Sequence, residues 1–116
     1  MADELQIYAK VSYSKGGAVV SRTVPTTNIT IAGTAIAQGV QSIPTSDTTL
    51  TIVAAPGYVF VKNLDATNYV QVGTDATNWF LKLLAGQWGL FPINGTALHA
   101  KANTAACNLE FIVFSL

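Results

Sequence analysis

Apolar and polar residues alternate in short runs along most of the chain. Runs such as LQIYAKVSY, TLTIVA and YVFVKNL place apolar residues at every second position, and no stretch repeats them at helical spacing over three turns. The runs are rich in β-branched and aromatic residues and are separated by Gly, Pro, Asn and Asp. The pattern predicts an all-β antiparallel sandwich or barrel, with residues 1–116 in a single domain. Residues 1–13 are expected to form an extended N-terminal arm or an edge strand.

The aromatic residues are concentrated in the second half of the chain. Of the eleven Phe, Trp and Tyr residues, only Tyr8 and Tyr13 precede residue 58. Because aromatic side chains bury large areas, we expect residues 58–116 to supply the centre of the core. The Thr-, Ala- and Gly-rich segment 14–57 is expected to form thinner strands that pair at an edge or reach a neighbouring subunit.

The tetrapeptide DATN occurs twice, at residues 65–68 and 75–78. Two copies of this kind are compatible with the halves of a metal site, with paired catalytic carboxylates or with two turns. The intervening run YVQVG is a five-residue strand, which would separate the copies by roughly 17 Å. Catalytic carboxylate pairs need about 5–10 Å, and calcium ligands must converge on one ion. We therefore predict two turns, in which Asp65 and Asp75 accept backbone hydrogen bonds and Asn68 and Asn78 close the chain reversal.

Two further turns are expected in the second half. Gly86 in LAGQ would reverse the chain between WFLKLL and WGLFPI, and Asn94-Gly95 is a strong hairpin signal between WGLFPI and ALHAKA. These signals predict that residues 58–116 form a continuous run of antiparallel strands joined by tight turns.

Candidate chemistry is sparse. His99 is the one histidine, Cys107 the one cysteine, and the six carboxylates are scattered through the sequence. A single chain with one His and one Cys cannot assemble a zinc ligand set, so we predict no metal, no cofactor and no catalytic residue. His99 is expected to be structural or on the surface, and Cys107 to be a buried, inert thiol.

The charge content changes the picture of the surface. Only 10% of the residues are charged and the formal net charge is zero, whereas typical domains carry about a quarter charged residues. The surface must then be neutral, and neutral surfaces tend to associate, so a homo-oligomer is expected. Six dispersed basic residues argue against nucleic-acid binding, and the polar composition of the longest uncharged run argues against a membrane span. The acidic N-terminus lacks the features of a secretory signal, which predicts synthesis in the cytoplasm.

Bulky apolar residues occupy both alternating positions in WFLKLL and QWGLFPI. One face of these strands can pack on a partner sheet, and the other would need another subunit. We therefore take five aromatics as candidate residues of a subunit interface or of a contact with a larger assembly: Tyr69, Trp79, Phe80, Trp88 and Phe91. The alternative is a sugar-stacking platform built from Tyr69, Trp79 and Trp88, as in carbohydrate-binding modules.

Four stretches of the chain carry a resemblance to a known family: YVFVKNLDATNYVQVG, FLKLLAGQWGLF, ALHAKANTAACNLEFIVF and, nearer the N-terminus, VSYSKGGAVVSRTV. They resemble small virion structural proteins of tailed bacteriophages. The similarity spans most of the chain and consists of strand-and-turn phrases. Where relatives tend to have Pro-Gly-Glu after the Leu-Lys strand, this chain has Ala85-Gly86-Gln87.

The resemblance implies a jelly-roll-like β-sandwich present in many copies on the capsid surface of a virion. Within that group we expect a capsid cement or decoration protein, without enzymatic activity, that forms a homotrimer and binds the major capsid protein. The alternatives are a head-fibre, neck or tail component, and a glycan- or receptor-binding module.

Overall fold

The computed structural model describes residues 5–31, 35–50, 52–53 and 56–115. All regular secondary structure in these ranges consists of β-strands, and all strand pairs are antiparallel. The prediction of an all-β antiparallel fold is therefore confirmed. Two compact units are present, Met1–Ala32 and Gly33–Leu116. Residues 1–4 of the predicted N-terminal arm lie outside the described residues. No helix in the described part of the chain is long and apolar enough to cross a membrane.

The first unit contains a β-hairpin. Strand β1 (Leu5–Lys15) pairs with β2 (Ala18–Ile29) through the two-residue turn Gly16-Gly17. Both glycines have positive φ angles, 59° and 86°, which suit a two-residue hairpin turn and are unfavourable for residues with a Cβ atom. The strand register shifts between Ile7 and Ala9, where β2 has one extra residue and contains Pro25. Proline is tolerated at such a bulge because no backbone donor is needed there.

The two faces of the hairpin differ in polarity. Since side chains alternate along a strand, the odd-numbered residues from Leu5 to Tyr13 share one face, and the strand register adds residues of β2 to it. The apolar members of this face are Leu5, Ile7, Ala9, Val11 and Tyr13 from β1 with Val20, Val24 and Ile29 from β2. The opposite face carries mainly Gln, Lys, Ser, Thr and Asn. We call the first of these surfaces the apolar hairpin face.

The second unit contains eight strands. They are β3 (Ile36–Ile43), β4 (Thr48–Thr49), β5 (Pro56–Asn63), β6 (Val70–Gly73), β7 (Leu81–Leu83), β8 (Trp88–Pro92), β9 (His99–Ala102) and β10 (Cys107–Ser115). Sheet I has the strand order β3-β10-β5-β8, and sheet II has the order β4-β9-β6-β7. Alternate residues of both sheets contribute to one hydrophobic core, as in a β-sandwich.

The chain passes repeatedly between the two sheets. Among the eight described strands of this unit, only β6 and β7 are consecutive in sequence and adjacent in the same sheet, so the other six connections join one sheet to the other. The predicted hairpin at Asn94-Gly95 is therefore wrong, because β8 lies in sheet I and β9 in sheet II. The predicted continuous run of paired strands over residues 58–116 is wrong for the same reason. Turn residues specify a local reversal, whereas the pairing partner of each strand is set by distant residues.

The core is aliphatic. In β5 and β10 the burial alternates strictly, with Val59, Val61, Leu109 and Val113 inaccessible to solvent. Phe111 is the one aromatic residue among the buried core residues that the structure describes. The full buried cluster is Ile43, Leu50, Val59, Val61, Val70, Val72, Leu83, Leu98, Ala100, Ala102, Cys107, Leu109, Phe111 and Val113.

Candidate interaction surface

The outward-pointing residues of sheet I form a largely apolar surface. Strand register aligns them in three rows that cross β3, β10, β5 and β8 in that order. The rows are Ile36, Phe114, Tyr58 and Pro92; then Gln38, Ile112, Phe60 and Leu90; then Val40, Glu110, Lys62 and Trp88. We call this surface the apolar sheet face.

The margins of the apolar sheet face are open to solvent. Ile36, Val40 and Trp88, which lie on its two edge strands, are 57–59% exposed. Large exposed apolar patches are uncommon on monomeric proteins and mark sites of interaction. The Trp88 ring lies 6.1 Å from the Phe60 ring, centroid to centroid, which holds this tryptophan against the sheet.

The apolar sheet face contains one charge of each sign. Glu110 and Lys62 are directly opposite each other on β10 and β5. Opposite charges at this spacing attract, so the row can be covered by another surface at a lower cost than a lone charge would impose.

The outer side of sheet II is polar by comparison. It carries Gln71, Lys82 and Lys101 in register, and the two lysines lie over aromatic rings. The Lys82 Nζ is 4.3 Å from the Tyr69 ring centroid, and the Lys101 Nζ is 5.6 Å from that of Trp79. These cation–π contacts cover part of each ring.

The five aromatics predicted to form an interface thus do not lie together on one surface. Trp88 lies on the apolar sheet face, and Tyr69 and Trp79 lie beneath lysines of sheet II. Phe80 and Phe91 pack edge to face with ring centroids 5.3 Å apart, and Phe91 also contacts the core.

Several members of the apolar sheet face were not among the residues singled out from the sequence. Tyr58, Phe60, Ile112 and Phe114 lie on the outer side of β5 and β10. The signal was present in the sequence, because the runs YVFV and FIVF contain only apolar or aromatic residues. A strand with one solvent-exposed face normally alternates apolar and polar residues.

Both DATN segments are turns. The Asp65 Oδ2 accepts hydrogen bonds from the backbone N–H groups of Thr67 and Asn68, at 2.9 and 2.6 Å. These bonds favour the ionised carboxylate and lower the pKa of Asp65, with the Asn68 N–H the larger cause.

The second copy of DATN is bonded more extensively. Asp75 accepts hydrogen bonds from the backbone N–H groups of Thr77 and Asn78, both at 2.8 Å, and from the Asn78 side-chain amide at 2.8 Å. The Asn78 side chain is the largest cause of the lowered pKa of Asp75, followed by the backbone N–H groups. Each carboxylate is therefore engaged within its own turn.

Asn63 is a buried residue that connects three segments. Its side-chain Nδ2 donates to the carbonyl oxygens of Asn68 at 2.8 Å and Leu83 at 3.0 Å, and its Oδ1 accepts from the Asp65 N–H at 2.9 Å. Its backbone carbonyl accepts a hydrogen bond from Gly86, whose φ of 78° allows the LAGQ turn. Asn63 precedes the first DATN in the phrase NLDATN, yet no sequence pattern marked it as the centre of this network.

Among the residues that the structure describes, the remaining ionisable groups do not form a reactive cluster. His99 Nδ1 lies 2.7 Å from Asp47 Oδ1, and none of the described serine or cysteine side chains hydrogen-bonds to this ring. Cys107 is buried, and burial raises the pKa of its thiol. Within the described ranges, no three His, Cys, Asp or Glu side chains come close enough to hold a metal ion.

Comparison of the chain with protein-family models, curated proteins and solved structures found no match.

Proposed function

We propose that the protein is a non-enzymatic virion structural protein of a tailed bacteriophage, and specifically a capsid cement or decoration protein. In this proposal it forms a homotrimer on the capsid surface and binds the major capsid protein. The observation that carries the proposal is the apolar sheet face, present in a chain with only 10% charged residues. The sequence resemblance to small phage virion proteins supplies the biological setting.

The strand order supports the finer description of the fold as a jelly roll. A jelly roll consists of two four-stranded sheets formed by Greek-key connections, so that most consecutive strands lie in opposite sheets. The orders β3-β10-β5-β8 and β4-β9-β6-β7, with six connections between sheets among the described strands, agree with that description.

The dimensions of the apolar sheet face indicate how much one contact can contribute. Four strands about 4.8 Å apart and three rows about 7 Å apart give a surface of roughly 400 Å². At about 25 cal/mol per Å², its burial corresponds to about 10 kcal/mol, whereas association itself costs about 4–15 kcal/mol. The burial of one such surface therefore roughly offsets the cost of association, so stable attachment of the protein to a capsid needs additional contacts. Many identical subunits on a shell would provide them and would resist the pressure of packaged DNA.

The test is the solution mass of the purified protein by light scattering, followed by mixing with DNA-free phage shells and measurement of co-elution. We expect a trimer that co-elutes with shells. The variant Trp88→Glu should lower the mass or abolish co-elution, whereas Leu84→Glu, an exposed apolar residue outside the apolar sheet face, should do neither. A monomer that ignores shells would contradict the proposal.

A glycan-binding module is the second candidate, and the 57% exposure of Trp88 favours it. An exposed indole can stack on a sugar ring, as aromatic residues do in carbohydrate-binding modules. Quenching of tryptophan fluorescence by a panel of oligosaccharides, lost in Trp88→Ala, would support this function over the capsid role.

A further inference from the structure

The hairpin of the first unit has an apolar face that its own two strands cannot bury. Towards the Gly16-Gly17 turn, Val11, Tyr13 and Val20 are 62%, 51% and 56% exposed. An isolated two-stranded hairpin is at best marginally stable in water, and packing of one face against another element is what makes it stable. The apolar hairpin face therefore requires a partner surface.

We propose that the apolar hairpin face of one subunit packs on the apolar sheet face of a second copy of this chain. The inference deepens the proposed function, because it rests on the proposed homo-oligomer and names the two surfaces that hold it together. Each subunit then donates one hairpin and receives one.

Area supports this choice of partner. Eleven residues of β1 at about 3.3 Å per residue, on a ribbon two strands wide, give the apolar hairpin face roughly 350 Å². Added to the roughly 400 Å² of the apolar sheet face, this gives about 750 Å² buried on each subunit. Where two subunits exchange hairpins, both contacts belong to one interface, and this value is close to the roughly 800 Å² per partner of a standard stable interface, whereas in a ring each interface holds one contact and about half of that area. Either surface alone reaches only half of that value.

One pair of opposite charges can form between the two surfaces. Arg22 pairs with Val11 in the strand register and so lies on the apolar hairpin face, while the apolar sheet face carries Glu110 with Lys62 beside it. Glu110 forms no ion pair within 4 Å among the described residues. In the sequence, residues 1–32 contain three cations and two acids, a net charge of +1, whereas residues 33–116 contain three lysines and four acids, a net charge of −1. A hairpin from another copy therefore brings positive charge to a unit that is slightly negative.

The symmetry of such an exchange agrees with a ring. The donated and the receiving surfaces are different, so the exchange can be reciprocal between two subunits or can run head to tail, and a head-to-tail exchange that closes produces a cyclic oligomer such as a trimer. Only six residues separate Ile29 from Ile36, and the seven steps between these two residues span at most about 25 Å when fully extended. Donor and acceptor must therefore be immediate neighbours in the assembly.

Two tyrosines in β1 provide a matched test. Tyr13 lies on the apolar hairpin face and Tyr8 on the opposite face, and both are more than half exposed. Each is replaced in turn, in the full chain, by the photoreactive analogue p-benzoylphenylalanine, which is bulkier than tyrosine by one benzoyl group at both positions alike. After irradiation, denaturing electrophoresis separates chains crosslinked to each other from single chains, and mass spectrometry identifies the crosslinked peptides.

We expect the analogue at Tyr13 to join two chains and to attach to peptides of β3, β5, β8 or β10, with at least fivefold less product from the analogue at Tyr8. Crosslinks within one chain, crosslinks to other peptides, equal yields from both positions, or no crosslink would each overturn the inference. In parallel, Tyr13→Glu should raise the concentration needed for assembly at least tenfold, whereas Tyr8→Glu should not.

This result can be separated from the capsid proposal. If the analogue at Tyr13 crosslinks to the apolar sheet face in a trimer that does not bind phage shells, only the capsid role is contradicted. A shell-binding trimer without those crosslinks would sink the hairpin exchange alone.

Discussion

Replacement of Asn63 by alanine tests whether a single buried amide organises one end of the sandwich unit. The side chain makes three hydrogen bonds, of 2.8, 2.9 and 3.0 Å, to the backbone of the first DATN turn and of the end of β7. Asn63 is also fully buried, so water cannot take over these bonds without local opening.

The magnitude follows from the count of bonds. Each intramolecular hydrogen bond contributes about 1 kcal/mol net, and a backbone group left without a partner costs about 1–3 kcal/mol where it stays buried. Asn63→Ala should therefore lower the free energy of unfolding by about 3 kcal/mol, with 2 as the lower bound. For a chain of this size, this corresponds to a decrease in Tm of roughly 12 °C.

The assay is urea unfolding followed by tryptophan fluorescence, with all variants at one protein concentration because association adds to apparent stability. The matched control is Asn108→Ala, which removes an exposed amide on the outer side of sheet I and should change stability by less than about 0.5 kcal/mol. Equal effects of Asn63→Ala and Asn108→Ala would refute the reasoning.

The variant Asn63→Asp supplies a second readout with a defined sign. It keeps the size and one acceptor oxygen, loses both donors, and places a buried carboxyl close to Asp65. Burial and the like charge raise the pKa of such a carboxyl, so its ionised form destabilises the fold. The destabilisation should be larger at pH 7 than at pH 4, and an effect independent of pH would contradict this account.

Three further predictions concern other parts of the molecule. Hydrogen bonds lower the pKa of Asp75 in the folded state, so its contribution to stability is complete above the unfolded pKa of about 3.9 and is lost as the pH falls below that value. The Tm values of the wild type and of Asp75→Ala should therefore converge between about pH 4 and pH 2. Parallel curves of Tm against pH would refute this. Gly73→Ala should unfold the protein or cost more than about 3 kcal/mol, because the new Cβ would collide with the Asn78 carbonyl oxygen, whereas Gly39→Ala meets only ordinary contacts and should be almost neutral in the same thermal melts. Deletion of residues 1–11 should weaken attachment to capsids more than it weakens folding, measured by co-sedimentation with shells and by circular dichroism; full shell binding by the shortened chain would count against it.

Local patterns in the sequence predicted the strands and the turns well. Alternation in YVFVKNL corresponds to β5, Gly86 lies in a turn between β7 and β8, and each DATN aspartate accepts hydrogen bonds from its own turn. These features depend on residues within a few positions of each other, which is why the sequence alone is sufficient.

Strand pairing and the composition of the core were not predictable in the same way. Asn94-Gly95 has the residues of a hairpin turn, but the strands on either side belong to different sheets. The aromatics were expected at the centre of the core, yet Val, Leu, Ile and Ala form most of it. Two closely packed sheets leave an interior about 10 Å thick, in which branched aliphatic side chains interdigitate readily.

The sequence predicted that an apolar interaction surface exists, but it did not predict which residues lie on that surface. Apolar residues at both alternating positions of QWGLFPI indicated a second covered surface, and Trp88 lies on the apolar sheet face. Tyr69 and Trp79 do not lie on the apolar sheet face, and Lys82 and Lys101 of sheet II lie over their rings. Each of these contacts joins residues more than ten positions apart, so local sequence patterns do not reveal it.

The central position of β10 in sheet I has a consequence for how the chain folds during its synthesis. β10 pairs with β3 on one side and with β5 on the other, although about 70 residues separate β3 from β10. A ribosome makes β10 after every other described strand, so β3 must wait without its native partner while the rest of the chain emerges. Contacts between such distant segments also slow folding in free solution. The nascent chain thus exposes apolar strands until β10 has emerged from the ribosome, and chaperones are most useful to it during that period.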